Sequence, residues 1–161
     1  MERIRQIQRH PLFQELFLKL QEAEKNRIFC GHTMEHFLDV ARLMYIYSLE
    51  EEAGIQKELI YAAALLHDLG RYQEISKGTP HHKAGAEIAE VIMKDCDFLP
   101  EEIQQVKTAI LGHRNKNSLN SSSRLTAYLY RADKKSRNCF ACPAEPECDW
   151  PEEKKNLWIQ Y

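Results

Sequence analysis

Along most of the chain, apolar residues recur three and four positions apart, the spacing of one buried helix face. Leu12, Phe13, Leu16, Phe17 and Leu20 form the first such stripe, with Pro11 suited to an opening turn. Asn26 and Gly31 break the pattern. A second helix is predicted from about Thr33 to Glu51, with Met34, Phe37, Val40, Ala41, Met44 and Tyr45 inward. Gly54 separates it from a third, about Gln56 to Leu69, rich in the strong helix formers Ala and Leu. Arg71 to Lys83, with Gly78, Thr79 and Pro80, reads as a loop. A fourth helix covers about Lys83 to Asp95. A fifth opens at Pro100 with Glu101 and Glu102, acids that suit the positive end of the helix dipole, and ends near Gly112. Asn115 to Ser122 is polar and loop-like. A sixth helix runs from the Ser121–Ser123 cap region to Lys135, and a short terminal helix is predicted from Pro151 to about Trp158. No alternating strand pattern or internal repeat interrupts this reading.

The expected fold is therefore all-α, a helical bundle over residues 1–138. A short Cys-rich appendix, 139–161, would pack on the same domain. The 161 residues suffice for one substantial core. A 43% apolar fraction, 29% charged residues and a net charge of −2 describe an ordinary globular protein, with no basic footprint for nucleic acid. No apolar run approaches the ~18 residues of a membrane span. Met1-Glu2-Arg3-Ile4-Arg5-Gln6 lacks the apolar centre of a secretion signal. A cytoplasmic location follows, in which five cysteines act as thiols or metal ligands rather than as a disulfide frame.

Polar residues interrupt apolar faces at His36, His67, Asp68, His113 and Asp133, and His81 and His82 stand where a loop meets a helix. A lone buried histidine is usually a satisfied core residue. A set of imidazoles and carboxylates near several helix ends is different, because such groups converge on Fe, Mn, Zn or Ni. Adjacent His67 and Asp68 at the end of the apolar run Ala62–Leu66 are costly to bury unless something binds them.

The order and local context of these residues resemble the HD-domain superfamily of metal-dependent phosphohydrolases. His36-Phe37-Leu38-Asp39-Val40-Ala41 is similar to the family's first-ligand helix. Ala63-Ala64-Leu65-Leu66-His67-Asp68-Leu69-Gly70-Arg71 resembles its signature. His81-His82-Lys83-Ala84-Gly85-Ala86, Ala109-Ile110-Leu111-Gly112-His113 and Tyr130-Arg131-Ala132-Asp133-Lys134 resemble the remaining elements. The resemblance implies His36, His67, Asp68 and Asp133 as core ligands and His81 and His113 as the pair found in two-metal branches, with Asp68 bridging the ions. Spacing to Gly85 favours His81 over His82. His32, one turn before His36, is read as a supporting or structural residue. The pattern is most similar to small stand-alone hydrolases, among them the symmetrical dinucleoside-tetraphosphatases. It departs from them at Arg114-Asn115-Lys116, and it lacks the Gly-Tyr-Pro segment of cyclic-di-nucleotide phosphodiesterases.

The implied activity is hydrolysis of a phosphoester or phosphoanhydride in a nucleotide or small phosphorylated metabolite, by water activated between ions. Arg71, Arg114 and Lys134 are the candidate phosphate contacts. No Ser or Cys nucleophile with its own base accompanies the pattern, and Cys96 lies among acids that disfavour a thiolate. The alternative is a non-hydrolytic sensor module responding to redox state or metal supply. The oligomeric state is open, with Trp150 and Trp158 candidates to cover either the domain or a second subunit.

Cys139, Cys142 and Cys148 have the spacing of a small metal knuckle that lacks one ligand. Cys30 precedes His36 by six residues, and Cys139 follows Asp133 by six. If His36 and Asp133 meet on antiparallel helices, both cysteines lie ~9 Å further along, at the same end. Four thiolates there would hold Zn or an iron–sulfur cluster.

Overall fold

A computed structural model describes every residue except Gln160, which falls within the predicted appendix. Among the described residues there are eight α-helices and no strand. They are α1 (Glu2–Arg9), α2 (Pro11–Glu24), α3 (Met34–Glu50), α4 (Lys57–Leu66), α5 (Arg71–Lys77), α6 (His81–Asp95), α7 (Pro100–Gly112) and α8 (Arg124–Lys135). Among the described residues no helix is long and apolar enough to cross a membrane.

Local chemistry sets the helix ends. The Thr33 side chain caps α3 by accepting from His36 N–H, and Ser123 caps α8 by accepting from Thr126 N–H. Glu102 reaches back to Leu99 N–H at 2.8 Å and closes the start of α7.

The buried stripes of α3, α4, α6, α7 and α8 meet in one core. Helices α3 and α8 run antiparallel. His36 meets Asp133 at one end, and Tyr47 lies 5.9 Å from Tyr128 at the other. Glu51 also accepts from Arg124, Tyr128 and Arg131 at that second end. Three successive alanines, Ala62 to Ala64, let neighbouring helices come close to α4 and leave His67 and Asp68 at the centre.

Several boundaries differ from the sequence reading. The predicted loop from Arg71 to Lys83 is instead helix α5, a short turn, and the first residues of α6. Gly78, at φ +72°, ends α5 by sending its N–H back to Glu74 O. Helix α4 stops at Leu66 rather than Leu69, and turns carry His67 to Gly70. Helix α1 was not foreseen; Ile4 and Ile7 bury its inner face. Lys116–Asn120 forms a 3-10 turn within the expected loop.

The predicted terminal helix is only a 3-10 turn, Glu152–Lys154. No apolar stripe follows Pro151 to hold a longer helix. The buried residue there is Asn156, whose side-chain amide donates to Lys134 O and Arg137 O. Trp158 is exposed, while Trp150 is half-buried.

Candidate metal centre

Five helix ends supply the site. His36 stands in the first turn of α3, His67 and Asp68 follow α4, His81 opens α6, His113 follows α7, and Asp133 stands in the last turn of α8. All six side chains are buried. Asp68 is central. Its Oδ2 lies 3.1 Å from His67 Nε2 and 4.0 Å from His36 Nε2, and its Oδ1 lies 3.3 Å from His81 Nε2 and 3.6 Å from His113 Nε2. Asp133 Oδ1 is 3.5 Å from His36 Nε2 and 3.8 Å from His67 Nε2.

Two donor groups result, His36/His67/Asp68/Asp133 and Asp68/His81/His113, each with its donor atoms within 4.8 Å of one another. Each oxygen of Asp68 faces one group. His82 belongs to neither; its ring stands edge-on to His81, 5.9 Å away.

The histidines share one orientation. His67 Nδ1 donates to Ala64 O at 2.8 Å and His113 Nδ1 to Ile110 O at 2.5 Å. His81 Nδ1 is 2.8 Å from Glu74 Oε2. Ser136 donates its hydroxyl proton to Asp133 O, so its oxygen is left to accept from His36 Nδ1, 3.1 Å away. In every case Nδ1 is tied to an oxygen outside the centre and Nε2 faces the centre, the arrangement that orients imidazole toward a metal.

The donors fit divalent ions. Groups about 2.1 Å from a shared ion lie roughly 3 to 4 Å from one another, as these do. Two buried donors, His67 Nε2 and Asp68 Oδ1, find no aligned hydrogen-bond partner in the protein. Their short contacts are ion pairs without hydrogen-bond geometry. The buried His/Asp clusters can therefore hold divalent metal.

Charges follow from the same packing. Burial works against an imidazolium at His67, but the charges of Asp68 and Asp133 outweigh it and lift the group to about 10. Burial, with Arg137 and His67 nearby, pushes His36 down to about 2. Burial likewise lowers His81 to about 4. Asp68 is held well below the usual carboxylate range because His67 and His113 outweigh its burial. Asp133 is held low against the same penalty, chiefly by His67 and Lys134.

Above the ligands opens a cavity of about 390 Å³ whose lining includes Arg27, Arg71, Arg114, Lys134 and Arg137. Arg71 Nε stands 3.3 Å from Asp68 Oδ1, and Arg71 Nη1 donates to Glu74 at 2.8 Å. Lys134 Nζ pairs with Asp133 at 2.5 Å. Arg114 is half exposed at the rim, 3.6 Å from Glu74 Oε1.

Sequence reasoning missed Arg137, which donates to His36 Nε2 and Gly31 O. It also missed Glu74, which joins His81 to Arg71. His32 belongs to neither donor group but stands against the ligand Asp68. Its Nδ1 is 2.7 Å from Glu24 Oε1, and its Nε2 is 3.4 Å from Asp68 Oδ2. The spacing of His32 to His36, one helical turn, was the signal available.

Cys30, Cys139, Cys142 and Cys148 border one smaller cavity beside this site, although no three of their sulfurs lie within 4.8 Å of one another. Cys96 is buried elsewhere, at the end of α6.

The family whose profile matches the chain is the HD domain, over residues 33–138. An uncharacterised protein of Clostridium beijerinckii is 46% identical over 138 residues, spanning 86% of this chain and 85% of that protein. No solved structure matches.

Proposed function

Because the chain belongs to the HD-domain family, we propose that it is a metal-dependent phosphohydrolase acting on a nucleotide or other small phosphorylated metabolite. The observation that carries this reading is the set of inward Nε2 atoms around Asp68, at the floor of a cavity lined by cations. When bound, divalent ions supply an acidified water and positive charge against phosphoryl oxygens.

The chain's own residues do the rest. Asp68, placed between both donor groups, fixes their separation. Arg71 and Lys134 are the groups we assign to the phosphoryl oxygens, since both reach the cavity while paired to the ligands Asp68 and Asp133. Arg114 and Arg137 add charge at the wall, which favours a substrate with more than one anionic group. Burial of the ligands keeps bulk water from the donors.

The test is turnover of nucleotides, dinucleoside polyphosphates and a chromogenic phosphodiester by chain loaded separately with Fe, Mn, Zn or Ni. Activity should appear with at least one ion. It should fall in His67→Ala and Asp68→Ala by more than the roughly 10–100-fold that loss of a ligand's supporting hydrogen bond costs. Metal-loaded protein without turnover on any substrate would overturn the reading in favour of a non-hydrolytic sensor.

A further inference from the structure

Four of the chain's five cysteines come from two segments distant in sequence and converge on one cavity, with Trp150 and Lys155 in its wall. That cavity has about 10 Å³ of free volume, enough for a single atom-sized guest. All the cysteines are free thiols.

The segment carrying three of them has almost no core. From residue 139 onward, among the described residues, Cys139 is the one buried apolar side chain, while Phe140, Trp158 and Ile159 are exposed. Its regular structure is three 3-10 turns. A piece of chain this short cannot order itself by apolar burial, and metals or disulfides commonly take that role.

We propose that Cys30, Cys139, Cys142 and Cys148 bind one zinc-type ion that clamps the C-terminal segment to the loop before α3. Tetrahedral Zn–S bonds of about 2.3 Å place sulfurs about 3.8 Å apart, so the ion draws these sulfurs closer together. The parts that move are the loop between α2 and α3 and the 3-10 turns after α8, with no α-helix among them. Four thiols release four protons to solvent as the ion binds. Four thiolates and one dication leave two negative charges. Lys155 in the cavity wall and Arg137, whose charge acts on Cys30, stand nearby to offset them. Glu145 holds Lys155 there through its carbonyl and its carboxylate.

The clamp has a consequence for the larger cavity. Phe29, Cys30, Cys148 and Trp150 line both spaces, so the ion would fix one wall of the candidate substrate site.

Cobalt(II) tests this without reference to turnover. The full chain, stripped of metal and reloaded with Co(II), should show sulfur-to-cobalt charge transfer and the intense visible bands of a tetrahedral thiolate site. A His/Asp centre gives no sulfur charge transfer. The signal should survive in His67→Ala and disappear in Cys142→Ser. In zinc-loaded wild-type protein an organomercurial, which attacks thiolates, should release one ion per chain. Absence of charge transfer in the wild-type chain would overturn the proposal whether or not the variants fold, and so would acid-labile sulfide in the purified protein. Activity lost in His67→Ala with the cobalt–thiolate signal intact would separate the fate of this site from that of the hydrolase reading.

Discussion

Glu24 makes two contacts with a single residue, accepting from His32 N–H at 2.8 Å while its other oxygen lies 2.7 Å from His32 Nδ1. Burial works against its charge, yet the hydrogen bonds from His32 hold its carboxyl below the usual range. The pair gives His32 the orientation shared by the other four imidazoles, with Nε2 toward Asp68. His32 in turn supports the ligand Asp68, so we expect Glu24→Gln, which keeps the shape but removes the charge, to lower metal affinity or kcat/KM about 10-fold, the low end of the usual cost of losing a ligand's supporting partner. Metal analysis alongside steady-state kinetics checks this. Wild-type values for both would mean that His32 needs no such support. The sequence exposed His36, His67, Asp68, His113 and Asp133 because each interrupts an apolar stripe, and His81 by its place where a loop meets a helix. It hid what orients them. Ala64 O and Ile110 O are backbone carbonyls that carry no residue signature, and Glu24 and Ser136 lie on elements whose approach to the site is set only by tertiary packing.

Between elements, the tightest constraint is the approach of Gly70 to the start of α6. A Cβ at Gly70 would sit 2.2 Å from His81 O and 2.6 Å from Gly85 N, both backbone atoms. Gly85 faces the same junction, where a Cβ would lie 3.2 Å from His67 O. Gly70→Ala must therefore push α6 away from the turn bearing His67 and Asp68. Such overpacking costs up to about 3 kcal/mol. At roughly 2–4 °C per kcal/mol for a chain of this size, Tm should fall by about 6–12 °C. Metal bound at the His/Asp centre should fall with it, because His81 moves relative to Asp68. An unchanged Tm in calorimetry would refute the close approach. The same junction shows where pattern reading stopped. Helices α2, α3, α4, α6, α7 and α8 were legible from their stripes. Helix α5 was not, because none of its seven residues is buried and glycines at both ends do the work that a stripe does elsewhere. At the C-terminus, Pro151 and two acids imitate a helix start, but hydrogen bonds from Asn156 hold that segment rather than an apolar face.

At the scale of the whole molecule, α1 ties together helices that carry opposite sides of the site. Arg3 donates to Glu58 on α4 at 2.7 Å and to Glu102 on α7 at 2.6 Å, and its guanidinium lies 4.1 Å from the Phe98 ring centroid. The N-terminal ammonium adds a pair to Glu58 at 3.0 Å. The hydrogen bond from Arg3 leads the shift of Glu102 below the usual glutamate range. For Glu58, burial opposes the shift and Arg3 and the N-terminus overcome it. Both carboxyls thus have lower pKa values folded than unfolded. The stability they contribute is complete above the ordinary glutamate value of about 4.3 and is lost as pH falls through the folded values. Arg3→Met keeps the apolar stem over Phe98 but removes the shared partner, which should cost on the order of 1–3 kcal/mol near neutral pH. The test is urea unfolding of both proteins from pH 7 down to pH 3, in chelator so that metal loss does not contribute. Asp68 and Asp133 titrate alike in the two proteins and cancel in the difference. The wild-type advantage should therefore shrink as the two glutamates protonate. A gap that stays constant across that range would mean that Arg3 acts through packing on Phe98 and not through the charges that join α1 to α4 and α7.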